Sequence, residues 1–294
     1  MSEDYELLSF DLGNNGSAGA ATSSTITIAR RNLESEDFTA GLFDDDMTLA
    51  GVTGWSVWEC ARGMVTVLKE ELGASLAGKR VVELGSGTGL AGLAAASLGA
   101  HVLLTDLKTV TEGIIIPNIH RNEDKTSTTT LPPPSWTGSV RVGHGTVVAQ
   151  PLDWTKDIAL QTIPNDPREA EVIIAADTIF LLDILEPFVQ TLATLLRGRE
   201  KDTYNSNKIV DQAGGTNHGG DTHHLGDRKR IAYFAYIDRS KPGSKSFASL
   251  EVVTAALAAA GIVTTELRER TMTTLNEQNK EIEVVWRIFT LAAN

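Results

Sequence analysis

The sequence predicts an α/β fold: a mostly parallel sheet with helices on both faces, joined by a short N-terminal β extension. Three observations predict it. The apolar run Arg80–Leu84 enters a glycine-rich turn, the small-residue helix Leu90–Leu98 follows, and Gly99 ends that helix before a second run, His101–Thr105. Strand, turn, helix and strand in that order form one right-handed parallel unit. A third apolar run, Glu171–Ala176, ends on Asp177 and precedes the helical pattern Leu185–Leu196. Two late runs, Ile262–Leu267 and Ile282–Ala292, have the spacing of a closing hairpin.

The other elements follow from pattern. Residues 1–22 are rich in Ser, Gly, Asn and acids, and disorder is expected there. Ser24–Ala29 alternates as a strand does and opens an extension over residues 23–50, with Asp44, Asp45 and Asp46 in a loop. Trp58, Ala61, Val65 and Leu68 share one face of a helix expected over Trp55–Leu72. Thr109–Asn122 reads as a helix with Pro117 near an end or a kink. Residues 125–139 are too rich in Thr and Pro for a core. Val140–Pro151 contains a strand, and Pro187 suits a first helical turn. Residues 198–228 form a polar insertion expected to be disordered or a surface loop. Ile231–Ile237 is a strand, and Ser246–Ala260 is a helix stopped by Gly261. The main domain is thus expected over 51–294.

Composition narrows the function. A net charge of −12 argues against an electrostatic grip on nucleic acid. The apolar stretch Leu90–Leu104 is interrupted by Ser97, Gly99 and His101, so a buried helix and strand fit it better than a membrane span. The one cysteine, Cys60, excludes an internal disulfide and a cysteine-built zinc site; a buried, inert thiol is expected. The N-terminus lacks a basic-then-apolar leader, and a cytoplasmic location, with the nucleus as a second, is the expectation. His218, His223, His224 and Asp221 could gather around a metal, but in a polar, Gly-rich insertion no metal site is expected.

The chemistry gathers at Glu83-Leu84-Gly85-Ser86-Gly87-Thr88-Gly89. Glycines directly after a strand let a ligand approach the backbone, and the next helix offers free N–H groups. In a shifted register, Gly87, Gly89 and Gly92 also satisfy a dinucleotide fingerprint. That reading places Glu83 at the strand end, where a carboxylate repels pyrophosphate; the same carboxylate attracts a sulfonium and an amino group. The motif therefore favours S-adenosylmethionine over NAD. Asp106 closes the next strand, where an acid can take both ribose hydroxyls, or simply cap a helix. For Glu83 the competing reading is a buried acid satisfied by backbone donors.

Further segments carry a resemblance. Trp55-Ser56-Val57-Trp58-Glu59-Cys60-Ala61, the glycine turn through Gly92, Leu104-Thr105-Asp106-Leu107, Asn118 to Asn122, Asp153-Trp154 and Ala176-Asp177-Thr178-Ile179-Phe180 together resemble methyltransferase family 16, the seven-stranded, Rossmann-like protein-lysine methyltransferases. The likeness covers motifs over residues 50–197. It implies that Trp58 packs near the methionyl end of S-adenosylmethionine, and that Glu83, Gly85, Ser86 and Gly87 line its amino-acid and ribose portions. It also implies that Asp106 holds the ribose, Leu107 and Trp154 flank the adenine, and Ala176 touches the cofactor. Asp177 and Phe180 form the family's Asp-x-x-aromatic motif, with Phe where Tyr is common. Family relatives act on an AAA ATPase, Hsp70-type chaperones or translation elongation factors, so a protein partner of that kind is implied.

On this reading Asp177 orients a lysine amine through a hydrogen bond, and Trp58 with Phe180 holds the cationic product. Trp58 and Trp154 could instead be core aromatics, and Asp177 a helix cap. A methyltransferase for another protein group or a small molecule shares every cofactor feature. A non-catalytic cofactor-binding protein would keep the fold alone.

Overall fold

The computed structural model describes residues 5–13, 25–31, 53–125, 136–199, 229–241, 244–275 and 280–294. Most of the polar insertion, with its histidines, and the Asp44–Asp46 loop lie outside them.

Strands β1 (Tyr5–Asp11) and β2 (Thr25–Arg31) form an antiparallel hairpin. Strand β1 falls inside the segment expected to be disordered. Its side chains are only half buried, so composition alone carried little signal; pairing with β2 and packing on the main domain hold it. The main sheet contains β3 (Arg80–Leu84), β4 (His101–Asp106), β5 (Val140–Val142), β6 (Gly145–Pro151), β7 (Val172–Ala176), β8 (Ile231–Tyr236), β9 (Ile262–Leu275) and β10 (Glu281–Ala293). Their order is β5-β6-β4-β3-β7-β8-β10-β9. The five from β6 to β8 are parallel, and β10 runs antiparallel to β8 and β9. The sheet has eight strands, not seven, because the segment 140–151 turns at Gly143 and folds back on itself.

Helices cover both faces. On one lie α1 (Glu59–Val67, continued by a π-turn over Leu68–Leu72), α2 (Leu90–Ser97) and the composite α3 (Lys108–Val110, Thr111–Ile115 and Ile116–Asn122). On the other lie α4 (Leu182–Arg197) and α5 (Leu250–Ala259). Helix α1 begins four residues after Trp55, so Trp55 and Trp58 lie on its approach. The π-turn in α3 ends two residues before Pro117, whose ring cannot donate and crowds the carbonyl four residues back, inside that turn. Helix α4 starts three residues earlier than expected, which puts Pro187 inside it. Helix α5 starts later than expected, at the cap Ser249, whose hydroxyl accepts from Val252 N–H. Trp136, in the loop judged unfit for a core, is fully buried, and its indole donates to His101 O at 2.9 Å. One aromatic with a satisfied N–H outweighs polar neighbours. Among the described residues no helix is long and apolar enough to cross a membrane.

Two asparagines one turn apart on α3 fasten the N-terminal hairpin. Asn118 Oδ1 accepts from Ala29 N–H at 2.8 Å, and its Nδ2 donates to Ala29 O and Thr88 O. Asn122 pairs with both backbone groups of Thr27 in the same way. The two side-chain amides thus act as a neighbouring strand would. Asn118 is fully buried, so Asn118→Ala should leave three backbone groups unpaired and cost ~3 kcal/mol. Urea denaturation measures the loss, and early proteolysis of β1–β2 should accompany it.

Candidate functional site

The sheet order reverses direction beside β3, between β4 and β7, and a cleft opens at the carboxyl ends of these strands. Open α/β sheets place their ligands at that position. Its walls include Gly54, Trp58, Gly85, Gly87, Asp106, Leu107, Leu152, Trp154, Ala176, Asp177, Thr178, Phe180 and Asp183. Nine of the eleven residues singled out from the sequence therefore meet at one place. Glu83 and Ser86 do not line it.

The turn after β3 is built for close approach. Gly85 has φ +64, and a Cβ there would lie 2.5 Å from Thr178 Cγ2 and 3.1 Å from the Trp154 ring. Gly87 has φ +53, and its N–H donates to Asp106 Oδ2 at 2.8 Å. Side chains at either position would be strained and would fill the cleft. Ser86 turns inward instead. Its Oγ accepts from Thr105 N–H at 3.0 Å, which ties the turn to β4.

Glu83 is buried beneath the turn, 3% exposed, and its Oε2 accepts from Gly92 N–H at 3.0 Å. Burial pushes its carboxyl up to about 8, against the lowering effect of Gly92 and Ser86. Its side chain faces Gly92 and the start of α2 rather than the cleft. It pins α2 to β3, the alternative that its sequence context had left open. Because the folded pKa lies above the unfolded value, the folded state binds the extra proton between about 4.5 and 8. Stability from this group is complete below that window and is lost as pH rises through it. Glu83→Gln should match wild type at pH 5 and melt at a higher temperature at pH 9. Equal losses between the two pH values would remove Glu83 as the source.

Asp106 stands at the end of β4, with Oδ1 on Leu107 N–H at 2.7 Å and Oδ2 on Gly87 N–H. Burial raises its carboxyl to about 6. Two buried polar atoms beside the glycines have no hydrogen-bond partner among the described residues: Trp154 Nε1 and Thr178 Oγ1. Trp154 stands edge-on to Phe188, with ring centroids 5.4 Å apart. An unsatisfied donor in a cleft wall is costly unless a ligand completes it.

Asp177 has φ 56, the one positive value outside glycine among the described residues. Such strain persists where surrounding contacts over-determine it. Its side chain is 1% exposed. Oδ1 accepts from Arg239 Nη1 at 2.6 Å, and Oδ2 accepts from Arg239 Nη2 at 3.1 Å and Cys60 N–H at 3.0 Å. The carboxylate expected to face an incoming amine is already engaged three times. The Arg239 guanidinium also lies 5.4 Å from the Trp58 ring centroid and 3.3 Å from Glu59 Oε2. It occupies one face of the ring expected to hold a cation. Trp58 is 37% exposed, with its indole donating to Thr53 O. Phe180 is held by its backbone carbonyl, which accepts from Ala248 N–H, and Leu182 N–H donates to Ser246 O. Cys60 is buried, and burial together with Asp177 raises its thiol well above the ordinary range, so it stays protonated.

A protein-family model described as lysine methyltransferase matches residues 44–213, more than half of the chain. The chain belongs to the lysine methyltransferase family. Its matched segment takes in every residue of the cleft named above. Mouse "Protein N-lysine methyltransferase METTL21A" is 35% identical over 140 residues, which are 47% of this chain and 54% of that protein. "EEF1A lysine methyltransferase 3" of Xenopus tropicalis is 29% identical over 158 residues, 54% of this chain and 59% of that protein. The chain spans about half the length of the curated relatives it matches. A solved structure titled magnesium protoporphyrin IX methyltransferase (ChlM) from Synechocystis PCC 6803 aligns with 88% of this chain and 94% of its own, at 12% identity and a TM-score of 0.42.

Arg239 was missed in the sequence. It follows β8 in a short polar run, Asp238-Arg239-Ser240, with no periodicity or motif to mark it. The one available signal was its position at a parallel strand's carboxyl end. Thr178 stood inside the segment 176–180 without being assigned a role, and Asp183 lies in the first turn of α4 with no motif to mark it. Among the described residues no group of three or more His, Cys, Asp or Glu is placed to hold a metal.

Proposed function

We propose that this chain is an S-adenosylmethionine-dependent protein-lysine N-methyltransferase acting in the cytoplasm and the nucleus. The carrying observation is the cleft itself: two left-handed glycines, the Asp106 carboxylate, and the unpartnered Trp154 indole and Thr178 hydroxyl converge where this fold class binds ligands. These groups fit an adenosyl donor. Asp106 would accept from the ribose hydroxyls, Gly85 and Gly87 would let the chain of the donor pass close to the backbone, and Leu107 and Trp154 would flank the adenine. Ala176 leaves room at the end of β7. Trp58, Asp177 and Phe180 would face the methyl end.

When bound, the donor supplies a methyl group on sulfur, and the lysine nitrogen takes it as the carbon–sulfur electron pair returns to sulfur. The rest is positioning by the chain. A lysine ammonium, with a pKa near 10.4, must release its proton to water first. Trp58 and Phe180 wall the slot with apolar surface, which favours the neutral amine by desolvation. Phe180 brings no hydroxyl to the site. The target is a lysine in a folded protein partner; the name of the Xenopus relative makes elongation factor 1A the first to try, followed by an Hsp70-type chaperone and an AAA ATPase.

Calorimetric titration with S-adenosylmethionine should show one site. Labelled methyl groups should then pass to lysine in one of those proteins, located by mass spectrometry. Absence of donor binding by folded protein ends the proposal, and label on a carboxyl or a small molecule replaces lysine as the target.

A further inference from the structure

Four acids line the cleft, and they are in different electrostatic states. Asp106 accepts two backbone N–H groups. Asp153 pairs with Lys156 at 2.8 Å. Asp183 is exposed at the start of α4. Asp177 is buried and engaged by a guanidinium through two nitrogens. Arg239 itself is not part of the cleft wall. It lies behind Asp177 and Trp58, gripping the first and stacking on the second.

Among the described residues, three groups on neighbouring elements face Arg239. Asp177 faces it from the turn after β7, and Glu59 and the Cys60 thiol face it from α1. Asp238, next in the chain, is turned away to Ser240 and Leu250 N–H. The Tyr236 phenol donates to Ala248 O. Asp177 thus meets one full positive charge in bidentate contact, and the N–H of Cys60 at the first turn of α1 adds a partial one.

We propose that Arg239 is a positioning residue that compensates the charge of Asp177, so that this carboxylate attracts neither a sulfonium donor nor an incoming amine at the methyl end of the cleft. This rests on the methyl-donor reading above. Its chemical sense lies in how charge moves during the reaction. Positive charge leaves sulfur and appears on nitrogen. An uncompensated carboxylate beside that path would hold the sulfonium and the lysine ammonium in their starting states. A compensated one holds neither, while its oxygens keep α1 and Trp58 in place.

Calorimetry with S-adenosylmethionine, a cation at sulfur, and S-adenosylhomocysteine, neutral there, reads the charge directly. Wild type sets the reference ratio of the two affinities. Arg239→Gln should move that ratio toward the sulfonium by roughly tenfold, Asp177→Asn should move it the opposite way, and the double variant should return it near wild type. Arg239→Lys, which keeps the charge, should stay close to wild type. A role in packing alone would weaken both ligands together, so unchanged ratios in Arg239→Gln and Asp177→Asn overturn the inference. If Arg239→Gln alone does not fold, the double variant compared with Asp177→Asn decides, because the shift back toward the sulfonium must then come from the charge of Arg239. Wild type that binds neither ligand removes the methyl-donor reading, and this inference with it, whereas binding with constant ratios removes this inference alone.

Discussion

Asp106→Ala should weaken S-adenosylmethionine binding by about 100-fold, the loss of two charge-assisted hydrogen bonds to a ribose. The chain should stay folded, because the backbone N–H groups of Gly87 and Leu107 sit beside an open cleft where water can replace the carboxylate. Calorimetry gives the affinity and far-ultraviolet circular dichroism checks the fold. The free protein carries a second signature of the same residue. Burial raises the Asp106 carboxyl to about 6, and only its ionised form accepts from both hydroxyls. Affinity should therefore fall roughly tenfold per pH unit below about 6. In Asp106→Asn, whose amide does not titrate in this range, that pH dependence should vanish. A wild-type affinity flat from pH 7 to pH 5 would remove Asp106 as the ribose acceptor.

Asp177→Ala should damage stability and turnover together. The substitution leaves Arg239, mostly buried, without its bidentate partner, and it leaves Cys60 N–H at the start of α1 unsatisfied. It also places alanine at φ 56, which asparagine or aspartate tolerates better. Breaking such a pair costs about 3 kcal/mol, so the melting temperature should drop by roughly 8 °C in a domain of this size. Turnover should fall at least 100-fold, since Arg239, released from Asp177, no longer fixes the Trp58 ring at the methyl end. A purely catalytic acid would lose turnover at unchanged stability. Thermal melts of Asp177→Ala and Asp177→Asn separate the two: asparagine keeps an acceptor for Cys60 and tolerates the φ but not the charge facing Arg239, so it should recover part of the loss.

Most of the fold was legible because each signal was local. Strand β3, the glycine turn, α2 and β4 each announce themselves by a short apolar run or a glycine, and all four stand where the pattern put them. The cleft was legible for the same reason: its wall residues sit at strand ends, and strand ends are readable. Boundaries that depend on a neighbour were less so. Helix α1 was expected from Trp55 but begins at Glu59, because Trp55 is stacked on Tyr5 and its carbonyl accepts from Arg31 N–H of the hairpin.

The sequence by itself determined the parallel order of elements and the gathering of Gly85, Gly87, Asp106, Trp154 and Asp177 around one crevice. Tertiary structure alone decided what surrounds each acid in and beneath that crevice. Glu83 and Asp177 look alike as carboxylates at strand ends, yet one is buried against a single backbone donor and rises to about 8, while the other meets a guanidinium from 62 residues away. Ionisation depends on solvent and on neighbours in space. Neither is written in local spacing.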